Sequence, residues 1–377
     1  MPDEEKLSSY LNKSKLIPNS NYEKKIRIAI LGGFTLNGLE ETMRVKCDEK
    51  RIQCTTYVSG YNQYNQEILD EKSQLYKFSP DITFLIIDSR TILGKLFLNP
   101  YSVSIEERKQ FVQNKSDEII NLAKSLVEKS KSKLVISNFS VPSYSPIGIN
   151  ETREEFGLHD MVRVLNENIK IGLSTEPEIF IYALNSFVTR FGENNVFDYK
   201  QYFYGDVRIS LDYIPYLAEE LMGYIKAVLG LNKKCIVLDL DNTLWGGIVG
   251  EDGFEGIKLG DSPVGRAYAE FQHNLLALNQ RGILLAINSK NNFDDAMQII
   301  KDHPNMVLKE DNFVCIRINW NDKVVNMKEI SDELNIGLDS MVFFDDDPVN
   351  REYVKSNLPE IQTVDISDPS NSSKILK

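Results

Sequence analysis

Cysteine and histidine are scarce: 377 residues hold four cysteines (Cys47, Cys54, Cys235, Cys315) and three histidines. The cysteines lack metal-ligand or disulfide-framework spacing, which points to a reducing, cytoplasmic setting. No run of about 18 apolar residues occurs, so no helical membrane span is expected. The opening stretch MPDEEKLSSY is polar and acidic, where a signal peptide needs an apolar core. Positive charge is also in deficit, with 43 Lys+Arg against 55 Asp+Glu and a formal net charge of −12. A negative field of that size disfavours general attachment to phosphate backbones or anionic lipids, so neither nucleic acid nor membrane is expected as a partner. What is present suits large cores: 42% hydrophobic and 26% charged residues. A prior of about 150 residues per domain gives two domains.

Residues 1–22 are polar and read as a tail or a peripheral helix. From Lys24 onward, apolar β-rich runs alternate with amphipathic stretches. Strands are expected at IRIAIL (26–31), QCTTYV (53–58), ITFLIID (82–88), LVISNF (134–139) and EIFIYAL (178–184). Helices are expected from just after Leu36 to about Lys50, over 104–131, and over 214–229 with Gly230 as the stop. The pattern then restarts. Strands are expected at CIVLDLD (235–241), ILLAINS (283–289), VCIRIN (314–319), MVFFD (341–345) and 361–365, with helices over 267–281, 293–301 and 323–334. Continuous Val/Ile/Leu runs separated by helices mark parallel sheets covered on both faces. The expected fold class is therefore α/β: two three-layer α/β/α domains with mainly parallel sheets, over residues 23–229 and 230–366. Residues 367–377 contain DPSNSSK, a linker-like composition that raises the expectation of a further domain beyond Lys377.

The chemistry concentrates in the second domain. DLDNT (239–243) comes after an all-apolar strand and places two carboxylates where open α/β sheets bind ligands. Asp239 can attack phosphorus, while Asp241 protonates the leaving oxygen and later activates water. An anionic nucleophile meeting an anionic phosphate needs a divalent cation, and Mg²⁺ suits a site of few carboxylates, water and phosphate oxygens. Ser289 ends the second strand and can hold a phosphate oxygen. Lys323 opens a helix after a short strand and can neutralise phosphate charge. DDDP (345–348) sets three carboxylates after a buried strand, where they repel unless a cation is bound. Each feature alone has a plainer reading: an acidic strand end, a helix-capping serine, a solvated lysine, an acidic loop. Their common placement at strand ends, in this order, favours phosphate chemistry. The glycine-rich segment WGGIVGEDG (245–253) reads as a flap with a hairpin turn at Glu251-Asp252-Gly253, and Trp245 as a packing residue.

That order of Asp-x-Asp, Ser, Lys and Asp-Asp resembles the haloacid dehalogenase (HAD) superfamily of phosphotransferases, and implies a Rossmannoid second domain. The resemblance assigns Asp239 as nucleophile and Asp241 as acid/base. It puts Asn242, Thr243, Ser289 and Lys323 around the phosphate, and Asp239, Asp241, Asp345 and Asp346 at Mg²⁺. A narrower resemblance lies in DLDNTLWGGIVGEDG, INWNDKVVNM, FFDDDPVNRE and YNQYNQEILD, which look like the FkbH-like branch. That branch is linked to loading glyceryl units from an acyl phosphate onto an acyl carrier protein. Where many of its members carry cysteine between the motif aspartates, this chain has Leu240, and DDDP stands for the usual DDNP. The first domain resembles the SGNH-hydrolase-like domain of such proteins. It reads as non-catalytic, because Gly32-Gly33-Phe34-Thr35 offers no serine at the turn and His159, its one histidine, comes too early for the base. The leading expectation is a phosphatase or phosphotransferase with a small phosphorylated substrate. The alternatives are glyceryl transfer to an acyl carrier protein, and a binding module with a vestigial phosphate site.

Overall fold

The computed structural model describes residues 6–18 and 21–371. It divides into two compact units, Met1–Gly230 and Leu231–Lys377. Each is built on one all-parallel five-stranded sheet, the α/β architecture expected from the apolar runs.

The first unit holds β1 (Lys24–Gly32), β2 (Ile52–Val58), β3 (Ile82–Ile86), β4 (Lys133–Ser137) and β5 (Ile179–Tyr182) in the order β2-β1-β3-β4-β5. Every residue of β3 is buried, as a central strand covered on both faces requires. Helices Ile105–Lys129 and Leu158–Leu173 seal one face, packing Val112, Leu126, Met161 and Leu165 against Leu31, Leu85 and Leu134. The first of these helices opens with a reciprocal cap between Ser104 and Glu107. Residues 7–14 of the expected tail form a helix that buries Leu7 and Tyr10; residues 1–5 and 19–20 lie outside the described residues. Gly32 is required by close approach, since a Cβ there would sit 2.7 Å from the Phe34 carbonyl oxygen.

The second unit holds β6 (Cys235–Leu238), β7 (Leu284–Ser289), β8 (Phe313–Ile318), β9 (Met341–Asp345) and β10 (Gln362–Asp365) in the order β10-β9-β6-β7-β8. Ile236 and Leu238 join one core and Cys235 and Val237 another, so β6 is sealed on both faces. Leu238 pairs with Phe344, so Asp239 and Asp345, one residue further along, emerge side by side. The hairpin turn expected at Glu251–Gly253 is absent: Val249–Gly256 is helical, with Gly253 alone at φ 66° breaking its regularity. Glycine takes that left-handed conformation at no steric cost, so the segment kinks instead of reversing as a hairpin. Part of the expected C-terminal linker is packed: Pro369–Asn371 forms a 3₁₀ turn against helix Pro263–Gln280, with Pro369 buried. Residues 372–377 lie outside the described residues.

Candidate phosphate and metal site

Asp239 comes directly after β6, and its backbone N–H still donates to the Phe344 carbonyl, 2.9 Å, which extends the ladder to the carboxylate itself. Asp345 is the last residue of β9 and has no exposure. Oxygens of Asp239, Asp345 and Asp346 lie within 4.8 Å of one another, a group able to hold a metal ion. Lys323, the first residue of helix Lys323–Leu334, reaches into this group from the neighbouring segment. Its Nζ lies 2.9 Å from Asp239 Oδ2 and 2.6 Å from Asp345 Oδ2.

The electrostatics derive from burial and proximity. Burial pushes the Asp345 carboxyl above its usual range and Asp239 adds to the shift, against the opposing pull of Lys323. Asp346 is pushed up to about 6 by burial, then by Asp345 and Asp239. Burial works against the Lys323 ammonium, yet the two aspartates outweigh it and hold its pKa above the ordinary lysine value. One ammonium facing three carboxylates leaves an anionic surplus, and a divalent cation fits that donor set.

Asp241, expected among the metal ligands, lies outside this acidic group. Its Oδ1 accepts from Trp245 Nε1, 2.9 Å, and from the Val249 N–H, 3.1 Å; its Oδ2 accepts from Asn291 Nδ2, 2.8 Å. Burial raises its pKa, and these three donors oppose the rise. Trp245 is fully buried as packing requires, and in addition orients Asp241. Asn242 sits at φ 52° and accepts the Gly247 N–H at 2.8 Å, which folds the loop back behind the aspartates. Thr243 is fully buried and its Oγ1 has no hydrogen-bond partner among the described residues. Ser289 is buried at the end of β7, with its carbonyl accepting from the Asn319 N–H at 3.1 Å. Asp347 serves otherwise: its Oδ1 accepts from the Val349 N–H, capping helix Pro348–Asn357.

Several supporting residues carry no sequence signal of their own. Asn326 Nδ2 donates to both Asn288 Oδ1 and Asn319 Oδ1 at 3.0 Å, and Asn288 Nδ2 donates to the Lys323 carbonyl at 2.9 Å. This amide network ties the ends of β7 and β8 to the helix bearing the lysine. Asparagines beside apolar strands are its only trace in the sequence. Leu240, in the position where a thiol is expected of the FkbH-like branch, is a fully buried core residue. Cys235 is buried in β6, and burial pushes its thiol up to about 12.

The chain is similar to known proteins in sequence and in fold. The family described as FkbH, N-terminal domain, matches residues 27–226. No curated protein matches the chain. Among solved structures, the N-terminal part of the protein BF1531 from Bacteroides fragilis, containing a phosphatase domain complexed with Mg, has a TM-score of 0.87 at 29% identity. The match covers 98% of this chain and 96% of that one. The HAD family enzyme bt-2542 from Bacteroides thetaiotaomicron matches at 16% identity over 36% of this chain and 93% of its own, with a TM-score of 0.26. The lipase Lip_vut3 from a goat rumen metagenome matches at 15% identity over 52% and 96%, with a TM-score of 0.37. Since the family match spans more than half of its length, the chain belongs to the FkbH N-terminal-domain family.

Proposed function

We propose that the second unit is a Mg²⁺-dependent phosphatase or phosphotransferase of the haloacid dehalogenase type, acting on a small phosphorylated metabolite. The observation that carries this reading is the gathering of Asp239, Asp345 and Asp346 within 4.8 Å at one strand edge, bridged by Lys323. The overall likeness to a BF1531 segment containing a phosphatase domain complexed with Mg supports it. Asp239, Asp345 and Asp346 would hold the metal. When bound, it offsets the charge between carboxylate and phosphate.

In the first step Asp239 attacks phosphorus, and the bond from phosphorus to the leaving oxygen breaks. Asp241 gives its proton to that oxygen; burial, which raises its pKa, favours a proton being there to give. In the second step Asp241 takes a proton from water as the water oxygen attacks phosphorus. Inorganic phosphate leaves and the Asp239 carboxylate is restored. Lys323 neutralises charge throughout, while Ser289, Thr243 and Asn242 line the phosphate position. The test is Asp239→Asn assayed with Mg²⁺ on a panel of phosphate monoesters. Turnover is lost while the circular dichroism spectrum is unchanged; retained metal-dependent phosphate release in that variant overturns the assignment.

Family membership over residues 27–226 favours a second reading, glyceryl transfer from an acyl phosphate to an acyl carrier protein. With Leu240 and the buried Cys235 offering no reactive thiol, the carrier's own thiol would attack the acyl carbon and displace phosphate. Incubation with a carrier protein and an acyl phosphate distinguishes the readings: a mass gain on the carrier supports transfer, and phosphate release without it supports the phosphatase. The first unit is read as SGNH-like and non-catalytic, because Thr35 comes after β1 where a serine nucleophile would stand and its Oγ1 donates to the Gly205 carbonyl at 2.8 Å. The free cysteines fit a cytoplasmic location.

A further inference from the structure

In the first unit, β3 and β4 are adjacent and parallel, and the chain beyond them carries Asp88, Ser89, Arg90 and Ser140. Ligands in parallel sheets gather at such carboxyl ends. Facing these residues, Phe97, Phe197, Tyr199, Tyr202 and Arg208 complete a cleft of about 430 Å³ of empty space, its mouth included.

The two arginines of the cleft differ. Arg208 is paired with Asp88 and, at 2.8 Å, with Asp206, so its charge is met within the protein. The Arg90 guanidinium forms no ion pair or hydrogen bond with any described residue. Its guanidinium carbon instead lies 4.4 Å from the Tyr202 ring centroid and 5.3 Å from that of Phe97. A guanidinium packed on aromatic rings can still offer its planar N–H fork to a carboxylate in a two-pronged fashion.

Three carboxylates, Asp88, Glu193 and Asp198, also line the cleft, and each is held by hydrogen bonds within the protein. Asp88 also accepts from the Thr91 N–H at 2.8 Å. Glu193 accepts from the Ser143 N–H at 2.7 Å, and Asp198 caps its helix by accepting the Lys200 and Gln201 N–H groups at 3.0 Å. The lining thus holds three carboxylates beside two arginines, and Arg90 is the arginine without an ion-pair partner among the described residues, set among aromatic rings. We propose that this cleft binds a small organic monocarboxylate with a flat or short apolar body: the carboxylate forks onto Arg90 and the body lies against the aromatic wall. One unpaired arginine in a cleft that also carries carboxylates matches a monoanion better than a phosphate dianion, which those carboxylates repel more strongly. The site lies wholly within the first unit and does not depend on the phosphatase reading.

The test uses the full chain and four probes: benzoate, benzamide of the same shape without charge, benzylamine of opposite charge, and inorganic phosphate. Saturation-transfer NMR and calorimetry should show benzoate binding with a Kd of about 1 mM or tighter, and the other three at least about tenfold weaker. Arg90→Gln should weaken benzoate at least about tenfold, and Arg90→Lys by an intermediate amount, since the charge stays and the planar fork is lost. Asp239→Asn should leave benzoate binding unchanged. Equal binding of benzoate and benzamide, preference for benzylamine or phosphate, or no benzoate binding at about 20 mM overturns the proposal. The wild-type probe series decides the matter even where a variant fails to fold.

Discussion

Lys323 Nζ stands 2.9 Å from Asp239 Oδ2 while only 2% of the lysine is exposed. A buried ammonium so placed is both a structural counter-ion and a charge poised beside the proposed nucleophile. Removing it leaves Asp239 and Asp345 facing each other without compensation, and breaking a buried pair costs roughly 3–5 kcal/mol. Lys323→Met should therefore lower the urea midpoint markedly and abolish turnover. Asp239→Asn should be much milder for stability, because Asp345 still answers the lysine at 2.6 Å. Equal destabilisation by the two variants would contradict this division.

Metal removal is the second test. Three carboxylates within 4.8 Å repel one another when only Lys323 offsets them. Adding Mg²⁺ to chelator-treated protein should raise the melting temperature, since a ligand at 100 times its Kd contributes about 2.7 kcal/mol to the native state. Asp345→Asn and Asp346→Asn should each reduce the rise, whereas Asp347→Asn should not, because Asp347 caps helix Pro348–Asn357. A scanning-fluorimetry titration of the four proteins checks this, and an undiminished rise in the first two variants would count against the ligand set.

Trp245 gives a third. Its indole N–H donates to Asp241 at 2.9 Å, and a hydrogen bond to a charged group is worth about 1.5–3 kcal/mol, or roughly a factor of ten and upward in rate if it acts in the transition state. Trp245→Phe should lower kcat by at least about tenfold, leave KM little changed, and shift the pH profile of kcat as Asp241 loses a donor. A variant that lost stability alone, with kcat and its pH profile intact, would reduce Trp245 to packing.

The aspartates, Ser289 and Lys323 are legible in the sequence because buried parallel strands announce themselves as apolar runs, and the residues after each run stand at the sheet edge. Helix Lys323–Leu334 begins and ends where its pattern says, with Asp322 as its cap. Helix Leu158–Leu173 goes beyond the elements expected from the sequence, although Leu158, Met161, Val162, Leu165 and Ile169 are spaced for one buried face and signal it. Other features have no local signal. The bonds of Trp245 and Asn291 to Asp241 depend on folding, which for Asn291 brings together segments as far apart in sequence as 241 and 291. The kink at Gly253 turns on one residue, whose glycine suits a hairpin and a bent helix equally.

Acid stability supplies the last prediction, from Glu151 in the first unit. This buried carboxylate accepts from Ser145 Oγ, the Tyr101 hydroxyl and, at 2.7 Å, the His159 N–H. Burial alone would raise its pKa; the donors from Ser145, Tyr101 and His159 outweigh burial and hold it below the usual 4.5. The site also dictates Gly157, where a Cβ would come 2.3 Å from Glu151 Oε1. A carboxyl whose folded pKa is depressed stabilises the protein above its unfolded pKa, and that contribution drains away as pH falls through the folded value. Glu151→Gln keeps the shape, places an amide against the donors, and cannot titrate. At neutral pH it should lower stability by about 1–3 kcal/mol. The gap to the wild type should persist down to about pH 5 and narrow below 4.5. Urea midpoints of both proteins across that range would show it, and a gap constant down to about pH 3 would mean that the Glu151 charge contributes nothing to the fold.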